Sequence, residues 1–217
     1  MLKEQQIYSK EYTMNLTYEN DRSFFITIIP PFVYNSEVVT TWLLENEKSK
    51  FRYIRDQQCE EECFNIQQIN EYYPGIKTIA MIINPWTRMV NAFQQLQNYK
   101  LSPSPEHKIP WEILSLDSFD DFIFSLKNPK PIFDYWFTLA TPQIKWLEDG
   151  DLKADYILKA ETLAEDFRPI REYFCSDDEL ILESLDHIQD RQYYNETTKK
   201  IVEEVFKEDI EKFGYNF

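Results

Sequence analysis

Four short strand-like segments constrain this chain more than any other feature. They are Phe24–Ile29, Phe51–Arg55, Lys77–Ile83 and Asp155–Lys159. Each is too short for a core helix; the first and third, rich in β-branched residues, predict buried strands, and the other two predict further strands. Between them lie segments with helical spacing. Strands alternating with helices predict an α/β fold with a central, mostly parallel sheet flanked by helices. In such sheets ligands bind beyond the carboxyl ends of the strands, which directs attention to the loops after Ile29, Arg55, Ile83 and Lys159.

The helical segments carry their own punctuation. Ser36 starts a helix with Val38, Val39, Trp42 and Leu43 on one face, and residues 59–72 read as a more polar helix. Asn84-Pro85 ends a strand, and Thr87 is a candidate cap for a helix presenting Met89, Val90, Phe93 and Leu96. Prolines at 103, 105 and 110 mark residues 101–110 as loop. Ser118-x-x-Asp121, Thr162-x-x-Glu165 and Ser176-x-x-Glu179 have capping-box spacing, with Pro169 expected to kink or shorten the second of these helices. A final helix over about residues 196–212 shows Ile201, Val202, Val205, Phe206, Ile210 and Phe213 on one face and stops at Gly214. Residues 1–22 are polar and read as an N-terminal arm or edge element. Residues 23–217 form the single domain expected of a chain of 217 residues.

Composition removes several classes of function. Only three glycines occur, Gly75, Gly150 and Gly214, and no two are close. Nucleotide loops of the Walker type, dinucleotide fingerprints and the Gly-x-Ser-x-Gly elbow each need a closely spaced pair. Two histidines and three cysteines give no disulfide framework and no metal-ligand pattern, so no metal is expected. A net charge of −15 opposes nucleic-acid binding. The absence of a long apolar run and of a signal peptide predicts a cytoplasmic protein with no membrane partner.

Three segments, taken in order, resemble the sulfotransferase superfamily in its carbohydrate and phage-bacterial branch. Ile83-Asn84-Pro85-Trp86-Thr87-Arg88-Met89-Val90-Asn91-Ala92-Phe93 is similar to the family's Arg-Asn-Pro-x-x-Arg-x-x-Ser-x-Tyr signature. Pro142-Gln143 followed by Asp155-Tyr156, Glu161-Thr162-Leu163 and Asp166-Phe167 resembles its central stretch. Tyr193-Tyr194 through Phe213-Gly214 resembles its closing helix. The resemblance implies a P-loop-like sulfotransferase architecture. It also implies the sulfuryl donor PAPS (3′-phosphoadenosine 5′-phosphosulfate) as cofactor, and transfer to a glycan hydroxyl.

Carried over residue by residue, the resemblance assigns the cofactor to Asn35, Ser36, Arg88, Asn91 and Arg191 and leaves the catalytic residue unassigned. Several family positions differ here. The donor-loop lysine is Pro31, the glycines are Val33 and Tyr34, and the 3′-phosphate partners are Ile83 and Asn91. A hydrogen bond to a charged group contributes about 1.5–3 kcal/mol, so losing Lys, Arg and Ser partners costs about 4.5–9 kcal/mol, about a thousandfold to a millionfold in affinity. The loop Pro30–Ser36 is therefore expected to be more open than a phosphate cradle, or filled by Phe32 and Tyr34. Two functions follow: a PAPS-dependent transferase, or a catalytically inactive member of the fold acting as a binding or structural/interaction module with a glycan or protein partner.

Overall fold

The computed structural model describes residues 16–20, 23–28, 39, 42, 50–53, 66–72, 74–75, 77–101, 111–127, 139–173, 180 and 190–217. The chain divides into two compact units, one of residues 1–82 with 145–184, the other of 83–144 with 185–217.

The first unit is built on a five-stranded sheet. Its strands are β1 (Leu16–Asn20), β2 (Ser23–Ile28), β3 (Lys50–Tyr53), β4 (Lys77–Ile82) and β7 (Tyr156–Lys159), in the order β3-β1-β2-β4-β7. β2, β4 and β7 run parallel, with Ile26 opposite Thr78 and Ala80 opposite Ile157. β1 is antiparallel to both β2 and β3. The class is thus α/β with a small parallel sheet, and the four expected strands are present to within two residues. β1 corrects the expectation of an arm or edge element. Asn20 pairs with Ser23, so a boundary after residue 22 falls inside a hairpin, and β1 has a strand on each side. Leu16-Thr17-Tyr18-Glu19-Asn20 is too polar to read as a buried run, but a strand can form on backbone pairing alone.

Around this sheet the first unit places α1 (Ile66–Tyr72), which turns Ile66 and Ile69 inward. α5 (Ile144–Leu147) leads into a hairpin of β5 (Glu148–Asp149) and β6 (Leu152–Lys153), turned by Gly150 at φ +59°, where a side chain would be strained. After β7, a 3-10 turn (Ala160–Thr162) leads into α6 (Leu163–Asp166) and α7 (Arg168–Tyr173). Pro169 lies in the first turn of α7, where a missing N–H costs no helical bond, and the helical run is shortened at that point as expected. Leu163, Phe167 and Ile170 are buried there, and Trp42 meets Phe167 edge-on at 4.8 Å. Thr162 makes no capping bond. Its hydroxyl donates to Asp166, which also accepts from the Lys159 N–H.

Asp155 ties the start of β4 to the start of β7. It accepts from Lys77 Nζ at 2.6 Å and from the Thr78 N–H and hydroxyl, while its own N–H donates to Thr78 Oγ1. Partial burial pushes its carboxyl upward, but the bonds from Lys77 and Thr78 outweigh this and hold it below the ordinary aspartate value. A group whose pKa is lower folded than unfolded adds stability above its unfolded pKa and loses it as pH falls through the folded value. We therefore expect Asp155→Asn to be less stable than wild type at pH 7. The gap should close below about pH 4, the ordinary aspartate range. Urea unfolding of both proteins from pH 7 to pH 2 checks this; a gap independent of pH would remove the ionic role.

The second unit is helical. It contains α2 (Pro85–Leu101), α3 (Trp111–Leu114), α4 (Phe119–Ser125), a 3-10 turn (Asp190–Tyr193), α8 (Glu196–Val205) and α9 (Lys207–Phe213). Ser118 caps α4 by accepting the Asp121 N–H, as its spacing predicts. The expected cap at Thr87 is replaced by Asn84, whose side-chain oxygen accepts the Trp86 N–H at 3.0 Å. Proline at the first helical position and asparagine just before it are the favoured arrangement, and Thr87 is buried within the first turn. The single closing helix is corrected to two. Its backbone leaves helical geometry at Phe206 (φ −107°, ψ 27°), a fully buried residue, before α9 continues to Gly214 in left-handed conformation at φ +69°. Asn195 caps α8 reciprocally with Thr198 and donates to Asp120 in the first turn of α4.

Of the remaining expectations, Val39 and Trp42 are helical and buried as read. The rest of the helix from Ser36, the loop 30–36, residues 59–65 and 102–110, and the capping box at Ser176 lie outside the described residues.

Candidate functional site

The resemblance converges on the start of α2, and the second unit holds most of its residues. The first nine residues of α2, Pro85–Phe93, are all buried. A helix enclosed on every side must satisfy its polar residues internally. Thr87, Arg88 and Asn91 are thereby drawn into the core.

Arg88 is fully buried. Its Nη1 donates to the Thr141 carbonyl at 3.0 Å, and its Cζ lies 5.5 Å from the centre of the Phe206 ring. Burial lowers its pKa to about 10, against the opposing pull of Asp209. It therefore remains a cation at neutral pH.

Asp209 is also buried, and it replaces the apolar residue that an amphipathic face would place there. Its two oxygens accept the N–H groups of Gln143 at 2.7 Å and Ile144 at 2.8 Å. Burial raises its carboxyl above the ordinary range, while those bonds and Arg88 pull it back. The Gln143 side chain completes the network. Its Oε1 accepts the Ile83 N–H at 3.0 Å and its Nε2 donates to the Ile83 carbonyl at 2.7 Å, so one amide satisfies both backbone groups of a buried residue.

The result is an internal chain of charge and hydrogen bonds running from Ile83 through Gln143 and Asp209 to Arg88. It fixes backbone at residues 83, 141, 143 and 144. Asn91 is 2% exposed, so it too faces the interior. Arg191 lies elsewhere in the unit, exposed, with its guanidinium 5.7 Å from the Phe217 ring. Asn35 and Ser36 lie outside the described residues, so of the five assigned residues the second unit brings Arg88 and Asn91 onto one helix and places Arg191 on the surface.

Sequence reasoning missed Asp209 and assigned Gln143 no role. Asp209 sits among several acidic residues on α9, and only its position three residues after the buried Phe206 marks it as inward-facing. Among the described residues no cluster of His, Cys, Asp and Glu is suited to a metal ion, and no helix is long and apolar enough to cross a membrane.

A second feature surrounds Trp86. Its indole N–H donates to the Lys199 carbonyl, and the Tyr194 hydroxyl donates to the Trp86 carbonyl at 2.8 Å. Burial and nearby Asp190 hold the Tyr194 phenol well above its ordinary pKa, so it acts as a structural donor rather than a base. Comparison with known proteins adds no relative: no family model, curated protein or solved structure matches this chain.

Proposed function

We propose that this chain is a catalytically inactive protein of sulfotransferase-like ancestry that serves as a binding module for a glycan or protein partner. The observation that carries this reading is the zero exposure of Arg88. The residue that the resemblance assigns to the donor is enclosed by its own chain and engaged by Thr141, Phe206 and Asp209. A phosphate would reach it only by breaking that network. Asn91 is similarly enclosed, and Ile83 stands where the family has an arginine.

The active reading, transfer of a sulfuryl group from PAPS to a glycan hydroxyl, keeps one supporting observation: Arg191 is an exposed cation in the segment the resemblance assigns to the cofactor. Calorimetric titration with adenosine 3′,5′-bisphosphate, the desulfated donor product, separates the two. We expect no binding tighter than about 1 mM, corresponding to about −4 kcal/mol. Micromolar binding lost in Arg191→Gln would overturn the inactive reading and favour the transferase.

A further inference from the structure

The outer face of α2 is uncharged along most of its length. From Met89 to Tyr99 the helix holds no acid, lysine or arginine, in a chain of which 28% is charged. The charges that flank this stretch are engaged elsewhere. Arg88 is buried, and Lys100 reaches the Leu116 carbonyl at 2.7 Å and Asp117 at 2.9 Å. What α2 presents instead are amides. Gln95 and Asn98 are exposed and Gln94 is half-buried. Asn98 lies four residues after Gln94 and three after Gln95, so the three are neighbours on the helix surface.

A tyrosine borders this patch within the same unit. Tyr193 is 37% exposed, and the rest of its ring is fixed. Phe93 and Phe119 pack against it edge-to-face at 6.4 and 5.3 Å, and Gln94 Nε2 donates to its hydroxyl at 3.3 Å. Gln192, beside it in the chain, is exposed and adds another amide.

This composition has a chemical complement. An amide carries an acceptor and two donors in one group, which suits neighbouring hydroxyls that each donate and accept. A fixed tyrosine offers an apolar body to the C–H face of a sugar ring and has little freedom left to lose. Covering the patch strips no ion of its water. The chain's net charge of −15 repels acidic polysaccharides, so the complement is neutral. A protein partner is held chiefly by anchors seated in desolvated pockets, whereas amides surround the ring here. We infer that Gln94, Gln95, Asn98, Gln192 and Tyr193 form a binding surface for a neutral oligosaccharide. Tyr193 stacks against one sugar ring, and Gln95 and Asn98 bond hydroxyls beyond it. This rests on the binding-module reading and selects the glycan over the protein partner.

Calorimetry and side-chain amide NMR with neutral hexasaccharides of glucose, mannose, xylose and N-acetylglucosamine test it, with oligogalacturonate as the acidic control. At least one neutral sugar is expected to bind with a Kd below about 1 mM and to shift the side-chain NH2 signals of Gln95 and Asn98. The double variant Gln95→Ala, Asn98→Ala changes exposed residues only and should weaken that binding at least tenfold. Tyr193→Leu should do the same, while Tyr193→Phe, which keeps the ring, should retain most of it. Should Tyr193→Leu fail to fold, the double variant decides. No binding of any neutral sugar, tighter binding of oligogalacturonate, or sugar binding unchanged in the double variant would overturn the inference. None of these results touches the inactive reading, which falls only if adenosine 3′,5′-bisphosphate binds at micromolar concentration.

Discussion

Asp209→Ala is expected to lose about 3–5 kcal/mol of folding stability, because it strands a buried cation. Arg88 has no exposure, and its pKa falls to about 10 even with Asp209 present. Removing the carboxylate leaves a guanidinium in the interior without its counter-charge. It also leaves the N–H groups of Gln143 and Ile144 without their acceptor. Arg88→Met is expected to cost less, about 1–3 kcal/mol, because the remaining carboxylate keeps two backbone donors and can take up a proton. Burial already holds that carboxyl above the ordinary range, so its contribution to stability grows as pH falls through its folded pKa.

The double variant Arg88→Met, Asp209→Leu separates pairing from general core damage. A buried pair replaced by apolar side chains of similar volume is often neutral or nearly so. We expect the double variant to be more stable than the summed losses of Arg88→Met and Asp209→Leu alone predict, by at least about 1 kcal/mol. Urea unfolding measures these three proteins and Asp209→Ala. Additive losses, or an Asp209→Ala protein within about 1 kcal/mol of wild type, would mean that the pair contributes little.

The parts of the fold legible in the sequence are those where one local signal had no competitor. Ile79, Ala80, Met81 and Ile82 form an uninterrupted apolar run, and the strand is there. Ser118 with Asp121 reads as a helix start, and the bond forms. β1 was not legible because its five residues are half polar and its place is decided by pairing with β2 and β3, which lie outside its own window. The same holds for the site. Arg88 carries a motif signal, but whether a cation points outward or inward depends on what packs around α2. Asp209 had no signal of its own, since a helix-face count assumes that inward positions are apolar and α9 is dense in acidic residues. The break at Phe206 precedes the position where a carboxylate turns inward to meet the backbone of residues 143 and 144. Tertiary demand for a buried acceptor overrode the periodic pattern.

Gln143→Leu is expected to cost about 2–6 kcal/mol, since it orphans two buried backbone groups of one residue at about 1–3 kcal/mol each. Leucine fills a similar volume, so the loss reports the missing bonds rather than a cavity. Ile83 is fully buried, and water cannot take the place of the amide without opening the core. A glutamate at the same position makes the assignment specific. At pH 7 its carboxylate accepts the Ile83 N–H but opposes the Ile83 carbonyl, and it adds a charge beside the oxygens of Asp209. On protonation the carboxyl regains one donor and one acceptor, reproducing the two bonds now made by the amide at 3.0 and 2.7 Å. Its folded pKa is therefore raised, and a raised carboxyl adds stability as pH falls. Gln143→Glu should be strongly destabilised at pH 7 and recover most of the loss, relative to wild type, at about pH 5, whereas Gln143→Leu should not recover. Unfolding midpoints of the three proteins at both pH values provide the measurement. A leucine variant as stable as wild type, or a glutamate variant whose deficit ignores pH, would mean that the backbone of Ile83 is held by something other than this side chain.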